Sequence, residues 1–284
     1  MQQLMTGKIV LVTGGTQGLG LAVAEAAARE GAQGIAIVGR SPEKAERAAV
    51  AIRRVLDGAE SAGRTLADES PADGSAEQTA DVLAIVADLG RPGEAERAVA
   101  ETIAHFGRID SLVNAAGATS RGTLLDTTRE LLGEHLAVNL VAPFMTMQAA
   151  VADMNSRGAP GTIVNILSMA MHGGQPYLAP YTASKAGLAG LVRNAAYAHR
   201  FDRVRINGLN IGWTATPGEA VTQQTFHDAD PDWLTAAEAA QPMGKLGQPD
   251  EIADAVVFLL SERSGVVTGS IIDWDQNVPG AYDQ

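Results

Sequence analysis

The chain has 284 residues, of which 46% are hydrophobic, 19% are charged and none is cysteine. This length is ample for a buried core, and the lack of cysteine excludes disulfide scaffolds, zinc knuckles and thiol nucleophiles. A net charge of −12 disfavours nucleic acid and anionic membranes as partners. No apolar stretch approaches the roughly 18 residues that span a bilayer, and Met1–Gly7 is too short and polar for a signal peptide. We therefore expect a soluble, cytoplasmic protein.

Short runs of branched apolar residues alternate along the chain with longer, alanine-rich segments of helical period. The predicted strands are Ile9–Val12, Ile35–Val38, Val82–Val86, Ser111–Val113, Ile163–Leu167, Val204–Leu209 and Val266–Ile272. Helices are predicted between them, the first over Gly18–Arg29 and the second opened by Ser41-Pro42. Because the strands are continuously apolar and separated by helices, the pattern predicts one α/β domain over residues 1–284. Its doubly wound parallel β-sheet would carry helices on both faces, as in a Rossmann fold.

Two segments depart from this alternation. Residues 57–80 have almost no large apolar side chain, so we expect an acidic surface insertion that is either a tolerated loop or a partner-docking segment. Residues 214–248 contain Phe226 and Trp233 and are expected either to cover a substrate cleft as a lid or to form ordinary surface helices.

A glycine-rich turn, Thr13-Gly14-Gly15-Thr16-Gln17-Gly18-Leu19-Gly20, follows the first predicted strand. Glycines permit positive φ angles and close approach of the backbone to a pyrophosphate. The helix that begins there directs free N–H groups and its positive dipole end at the same anion. The position of this glycine-rich turn, between the first strand and the first helix of a βαβ series, predicts a dinucleotide site. The residues expected to contact the cofactor there are Gly14, Thr16, Gln17, Gly18, Leu19 and Gly20.

The end of the second strand, where such folds contact the adenosine ribose, carries Gly39-Arg40-Ser41 instead of an acidic residue. The glycine leaves space and the guanidinium suits a 2′-phosphate, so Arg40 and Ser41 favour NADP over NAD. NAD stays open as the alternative, because Gln17 adds no second positive charge. Arg40 could instead only cap the following helix or form an ion pair on its surface.

Further motifs follow in a characteristic order. They are Ala87-Asp88-Leu89, Asn114-Ala115-Ala116-Gly117, Val138-Asn139-Leu140, Ile163–Ser168 and Tyr181-Thr182-Ala183-Ser184-Lys185. With the glycine spacing, they resemble the short-chain dehydrogenase/reductase family in its compact single-domain form, over nearly the whole chain. The resemblance implies a homotetramer or homodimer formed through the helices around Thr128–Asn155 and Pro180–Phe201 and the last strand.

The resemblance also implies roles for the matched residues. Asn139, Ser168, Tyr181 and Lys185 match the four catalytic positions, with Asn139 holding a water that links Lys185 to solvent. Asp88 would bind the adenine amino group beside Leu89, Asn114 would stabilise the sheet, and Gly117 would pass close to the cofactor ribose. The cofactor contacts expected beyond the glycine turn and Arg40-Ser41 are Asp88, Leu89, Asn114, Ala115, Gly117, Tyr181, Lys185, Trp213, Thr214 and Thr216.

Tyr181 and Lys185 lie four residues apart on a predicted helix, so their side chains project from the same face. We expect the Lys185 ammonium and the oxidised nicotinamide ring to lower the pKa of Tyr181 from its usual value of about 10. Tyr181 would then donate a proton to a carbonyl oxygen in reduction, or accept one in oxidation. Ser168, at the C-terminal end of a strand, would hydrogen-bond the substrate oxygen.

These residues predict an oxidoreductase that transfers a hydride between NADP(H), or NAD(H), and a small-molecule carbonyl or secondary alcohol. His172, Gln175 and Tyr177 are expected to line the substrate pocket. The remaining histidines show no paired metal-ligand spacing, so we interpret them as structural and expect no metal. They are His105, His135, His199 and His227.

Two alternatives remain. An epimerase or dehydratase of the extended branch is disfavoured by the glycine spacing and by the lack of a large C-terminal region. A non-catalytic NAD(P)-sensing regulatory protein is disfavoured by the presence of Tyr181 and Lys185 together.

Overall fold

The computed structural model describes residues 3–63, 80–230 and 232–280. Within them lies one seven-stranded sheet with the order β3-β2-β1-β4-β5-β6-β7, and all neighbouring strands are parallel. The strands are β1 (Ile9–Thr13), β2 (Gly34–Gly39), β3 (Asp81–Val86), β4 (Ser111–Asn114), β5 (Gly161–Ser168), β6 (Val204–Ile211) and β7 (Ile271–Trp274). The prediction of a doubly wound α/β fold is confirmed.

Helices cover both faces of the sheet. They are α1 (Gly18–Arg29), α2 (Pro42–Gly63), α3 (Glu94–Phe106), α4 (Arg129–Leu136), α5 (Ala142–Ser156), α6 (Ala179–Ala198), α7 (Pro217–Phe226), α8 (Trp233–Ala239) and α9 (Pro249–Leu260). Successive side chains of a strand point to opposite faces, so Val10 and Val12 join the core beneath α1, α2 and α9. Leu11 joins the core beneath α3, α5 and α6. The continuously apolar strands are thus buried on both sides.

The strand order reverses between β1 and β4, which leave their helices on opposite faces of the sheet. In open α/β sheets, ligands bind in the crevice that this reversal opens at the carboxyl ends of the strands. The glycine turn follows β1, and the Asn114-Ala115-Ala116-Gly117 motif begins at the last residue of β4. The fold therefore brings two of the predicted cofactor motifs to the same crevice.

The predicted start of the last strand is wrong. β7 begins at Ile271, five residues after Val266, whose side chain is 93% exposed. Gly265 and Gly269 both have positive φ, a conformation that breaks an extended strand. The turn between them is held by the Asn207 side chain, which donates to the Val267 carbonyl at 2.9 Å.

The predicted surface insertion over residues 57–80 is wrong in its first part. Helix α2 continues to Gly63, and three of the six residues beyond Asp57, namely Ala59, Glu60 and Ala62, are good helix formers. Ala80 directly precedes β3. Residues 64–79 of the predicted insertion lie outside the described residues.

A long apolar helical segment runs over Arg129–Ser156, although the sequence was expected to hold no stretch of membrane-spanning length. It comprises α4, a π-helical turn at Ala137–Val141 and α5. Met147, Ala150 and Met154 of α5 are buried in the core beside β4 and β5. The segment is therefore a core helix, apolar because it packs on the sheet.

Candidate active site

The glycine turn after β1 is packed too closely for side chains. Gly14 has a φ of +69°, and a Cβ there would lie 2.8 Å from the Ala116 backbone nitrogen. A Cβ on Gly20 would lie 2.3 Å from the Gly14 carbonyl oxygen. The Gln17 side chain does not cap α1, since it accepts a hydrogen bond from Lys44. The turn thus presents bare backbone and an uncapped helix N-terminus, which fits a pyrophosphate.

The loop after β4 is fixed beside this turn. The Thr13 hydroxyl oxygen accepts hydrogen bonds from the backbone N–H groups of Ala115 and Ala116, at 3.1 and 3.3 Å. The buried Asn114 side chain donates to Asn165 of β5 at 3.0 Å and accepts from Thr146 of α5 at 2.8 Å. These bonds join β4 to its neighbours, which agrees with a sheet-stabilising role for Asn114.

Cationic side chains lie at the end of β2 and the start of α2. Arg40 is exposed and makes no hydrogen bond or ion pair with the described residues. The Ser41 hydroxyl accepts from the Lys44 N–H at 3.2 Å and donates to the Glu43 carboxylate at 2.7 Å. Lys44 Nζ donates to Gln17 Oε1 at 2.6 Å and so reaches the glycine turn. Sequence reasoning missed Lys44, although its place one turn after Ser41 signals it.

Asp88 follows β3, the strand that pairs with β2. The residue before it, Ala87, donates its N–H to the Gly39 carbonyl at 3.0 Å, which places the end of β3 beside the end of β2. The half-exposed Asp88 carboxylate accepts from the Gly90 N–H at 3.1 Å, and Leu89 is buried. Asp88 and Arg40 therefore stand at one end of the crevice.

Tyr181 and Lys185 lie one turn apart on α6, as predicted. Lys185 Nζ is 5.8 Å from the centroid of the Tyr181 ring and donates to the Ile166 carbonyl of β5 at 2.8 Å. Ser168 ends the same strand, and its hydroxyl lies near enough to the Tyr181 phenol to lower the pKa of that phenol. The fold thus brings three of the four predicted catalytic residues together.

Asn139 lies in the π-helical turn and is completely buried. Its side-chain oxygen accepts from the Ala118 N–H at 2.8 Å, and its nitrogen donates to the Ala118 carbonyl and the Ser184 hydroxyl at 2.9 and 3.0 Å. Its side chain therefore ties the loop after β4 to α6, and among the described residues it makes no hydrogen bond to Lys185. The water-holding role stays a prediction.

A cleft of about 930 Å³ opens at the carboxyl ends of β5 and β6. Ser168 and Tyr181 line it, with all three predicted substrate residues: His172, Gln175 and Tyr177. Three predicted cofactor residues line it as well, namely Trp213, Thr214 and Thr216. The Thr216 side chain also faces Gly18, so the cleft meets the glycine turn.

Comparison with known proteins decides the family. A family model described as short chain dehydrogenase matches residues 8–64, and one described as Enoyl-(Acyl carrier protein) reductase matches residues 48–276. The chain belongs to the short-chain dehydrogenase/reductase family. It is accordingly an NAD(P)-dependent dehydrogenase that acts on a CH–OH group.

Similar members of the family act on different molecules. The chain is 32% identical to a 2-(S)-hydroxypropyl-CoM dehydrogenase of Xanthobacter autotrophicus, over 95% of this chain and 96% of that one. It is also 32% identical to an L-rhamnose 1-dehydrogenase (NAD(P)(+)) of Azotobacter vinelandii, over 94% of both chains. The solved L-sorbose reductase of Gluconobacter frateurii superposes with a TM-score of 0.85 at 26% identity, covering 99% of this chain and 100% of that one.

In the protein by itself the pKa of Tyr181 is raised, and the predicted lowering by Lys185 together with the oxidised nicotinamide ring stays a prediction. Burial raises the pKa of Tyr181, and the nearby Ser168 hydroxyl opposes this only in part. Burial also lowers the pKa of Lys185 to about 8, because no carboxylate compensates its desolvation. The phenol of this short-chain dehydrogenase/reductase therefore keeps its proton at neutral pH.

One predicted structural histidine lies in the cleft instead. His227, directly after α7, lines it together with Arg121 from the loop after β4. Sequence reasoning missed both, because they are 106 residues apart and meet only in the folded chain. His135 is buried, and its ring lies 6.5 Å from that of Tyr181.

Lys185→Met should increase the free energy of unfolding at pH 7 by about 2 kcal/mol. It removes an ammonium whose burial costs about 3 kcal/mol, while the lost hydrogen bond to Ile166 offsets about 1 kcal/mol. The lowered pKa makes this cost complete below pH 8, and it disappears as pH rises towards the unfolded value of 10.5. The stability gain should therefore shrink between pH 7 and pH 10.

Denaturant titrations of both proteins at the two pH values measure this difference. Lys8→Met, which removes a solvent-accessible ammonium, serves as the control and should show no such pH dependence. A Lys185→Met protein less stable than the wild type at pH 7, or a gain equal at both pH values, would contradict the expectation.

Proposed function

We propose that the protein transfers a hydride between NADP(H) and a small polar alcohol or carbonyl compound, with Tyr181 as general acid and base. One observation carries this proposal. The Tyr181 phenol and the Ser168 hydroxyl line the same cleft, one helical turn from the buried Lys185, and this cleft meets the glycine turn.

The cofactor supplies or accepts the hydride when it is bound. The backbone of the glycine turn would hold its pyrophosphate, with Thr16, Gln17 and Leu19 beside it. Asp88 would bind the adenine, with Leu89 packed against it. The residues proposed for the nicotinamide ribose and carboxamide are Asn114, Ala115, Gly117, Tyr181, Lys185, Trp213, Thr214 and Thr216.

In reduction, the Tyr181 phenol donates its proton to the substrate oxygen while the Ser168 hydroxyl hydrogen-bonds the same atom. The raised pKa of Tyr181 favours this direction at neutral pH, because the phenol is then fully protonated. Lys185, held by Ile166, is positioned to bind the ribose hydroxyls, and Asn139 holds the loop after β4 against α6. Oxidation requires the reverse proton transfer and should be favoured by higher pH.

Tyr181→Phe should lower kcat for carbonyl reduction by about 100-fold or more, since it removes the proton donor and keeps the ring. Loss of absorbance at 340 nm with a panel of polar carbonyl compounds measures the rate, and fluorescence titration measures the NADPH Kd, which should change less than about threefold. Tyr197→Phe, an exposed tyrosine of the same helix, serves as the control. Undiminished turnover in Tyr181→Phe would refute the assignment, and binding of NADPH by a wild-type protein that turns over no carbonyl would favour a sensor.

The preference for NADP is supported by the cations at the end of β2. Arg40 has no acidic partner among the described residues, and Lys44 adds the second positive charge that Gln17 lacks. Glu43 opposes them, because the Ser41 hydroxyl lowers its pKa and keeps it ionised. At the start of α2 two cations face one carboxylate, and Asp88 beyond them is paired with Arg91, so positive charge prevails and favours a 2′-phosphate.

Arg40→Asp and Lys44→Gln should each raise the Kd of NADPH by about 10-fold or more, because each removes a charge-assisted contact with the phosphate. The Kd of NADH should change much less in Lys44→Gln and should fall or stay level in Arg40→Asp. Arg54→Asp, an exposed position further along α2, controls for the change in total charge. An unchanged NADPH Kd in both variants would show that these cations do not bind the phosphate.

The class of substrate is supported by the polar lining of the cleft. Besides His172, Gln175 and Tyr177, it includes Gln223 and Gln241. The named relatives act on polar molecules such as L-rhamnose and L-sorbose. Such molecules need hydrogen-bond partners along their length, which this lining offers.

We further propose that α7 and α8 act as the predicted lid over the cleft.

We also propose that the chain forms a homodimer or homotetramer in the cytoplasm. Phe144, Tyr197 and Phe201 of the two long helical segments are 45%, 69% and 83% exposed. Trp274 of β7 is 41% exposed. Burial of these side chains between subunits would stabilise the assembly.

A further inference from the structure

Arg121 presents a confined guanidinium to the cleft. Its Nη1 donates to the Thr119 carbonyl at 3.0 Å, and its Nη2 lies 3.0 Å from His227 Nε2. Its central carbon lies 5.1 Å from the centroid of the Tyr177 ring and 5.3 Å from that of Phe226. The aromatic rings and the histidine therefore hold the guanidinium in place from three sides.

The guanidinium is not saturated by these contacts. Its Nε–H is buried and has no hydrogen-bond acceptor among the described residues. No carboxylate in the described part of the chain lies within 4 Å of it, although the protein carries 33 acidic residues. Each Nη nitrogen carries two N–H groups and makes only one of the contacts above, so a second N–H of each remains for an oxyanion.

The acidic residues that line the cleft, Glu219 and Asp275, form no ion pair with Arg121. Glu219, in the first turn of α7, is engaged by Trp213 Nε1 and Gln223 Nε2 at 2.8 and 2.7 Å. Phe226, which stacks on Arg121, lies seven residues later, about 10 Å along the helix. Asp275, after β7, accepts from the Asn277 side chain at 3.2 Å. Both carboxylates are therefore engaged by neutral side chains, and neither forms an ion pair with Arg121.

We propose that Arg121 binds an oxyanion carried by the substrate, most simply a carboxylate. This inference rests on the proposed function and names the class of its substrate, a carbonyl or alcohol compound with an acidic group remote from the reacting carbon. The planar fork of arginine matches the two oxygens of a carboxylate, and the flanking rings of Tyr177 and Phe226 exclude water from the pair. Arg121 would then orient the substrate while Tyr181 and Ser168 bind its oxygen.

The test compares acids with their neutral esters. Levulinate and its next two longer homologues are each paired with the methyl ester, and kcat/KM for reduction by NADPH is measured. For at least one pair we expect the acid to be preferred by about 10-fold or more. Arg121→Gln should lower this preference by about 10- to 100-fold through KM, and Arg29→Gln, at an exposed arginine of α1, should leave it unchanged.

A purely structural Arg121, which only secures α7 against Tyr177, would give a different result. Its replacement would then impair acid and ester alike, and the preference ratio would not change. Arg121→Lys separates the two roles further, since a lysine retains the charge and should keep part of the preference. Equal kcat/KM for acid and ester in the wild type, or a ratio unaltered by Arg121→Gln, would overturn the proposal.

If none of these compounds is reduced, the same pairs are tested as competitive inhibitors of a carbonyl compound that is. The acid should inhibit at a lower concentration than its ester, and equal inhibition would overturn the proposal. Failure of the proposed function gives another pattern, in which the wild-type protein reduces no carbonyl compound with either cofactor. In that case calorimetric titration of levulinate into the NADP-saturated protein, with and without Arg121→Gln, decides the oxyanion site alone.

Discussion

The hydrogen bond from Lys185 Nζ to the Ile166 carbonyl connects the helix that carries Tyr181 to the strand that ends in Ser168. It spans 19 residues of sequence and lies in the protein interior, where a charged donor is held far more rigidly than at the surface. Burial of this ammonium costs stability, as the lowered pKa of Lys185 shows. The cost falls at a position where we propose that a cation one helical turn from the phenol serves proton transfer, and functional sites often carry such costs.

The remaining polar residues around the crevice act mainly as a scaffold. Asn139 fastens the loop after β4 to α6, and Asn114 fastens β4 to β5 and α5. Thr13 ties the same loop to the glycine turn. The amides of Asn114 and Asn139 are buried and form their hydrogen bonds within the protein. These side chains therefore fix the distances between the segments that would carry the cofactor and the substrate.

Charge is distributed unevenly over this acidic protein. Arg40 and Lys44 stand at the end of β2, and Arg121 stands in the cleft that holds Tyr181. Elsewhere some arginines are paired with acids, as in the contacts of Arg97 with Glu94 and Glu101, and others, such as Arg193, form no ion pair with the described residues. Cations without carboxylate partners thus occur at both ends of the crevice, where the ligands proposed for it carry a phosphate and an oxyanion.

Local patterns along the chain were enough to predict the architecture. Continuous apolar runs indicated the parallel strands, because burial on both faces demands them, and the four-residue interval between Tyr181 and Lys185 placed both on one helical face. Local patterns failed at Val266, where two glycines with positive φ delay β7, and at Asp57, where α2 continues to Gly63.

Contacts between distant segments were decided by the tertiary structure alone. Gln17 and Lys44 meet across 27 residues, and Arg121 and His227 meet across 106. The direction of the Tyr181 pKa shift likewise depends on burial, which outweighs the opposing effect of Ser168 and has no local signature. Residue types and their spacing therefore determined the fold and its reaction chemistry. The tertiary structure decided which charged side chains lie near the proposed ligand sites. Electrostatic interactions act through space, so the sequence separation of two charges does not set their strength.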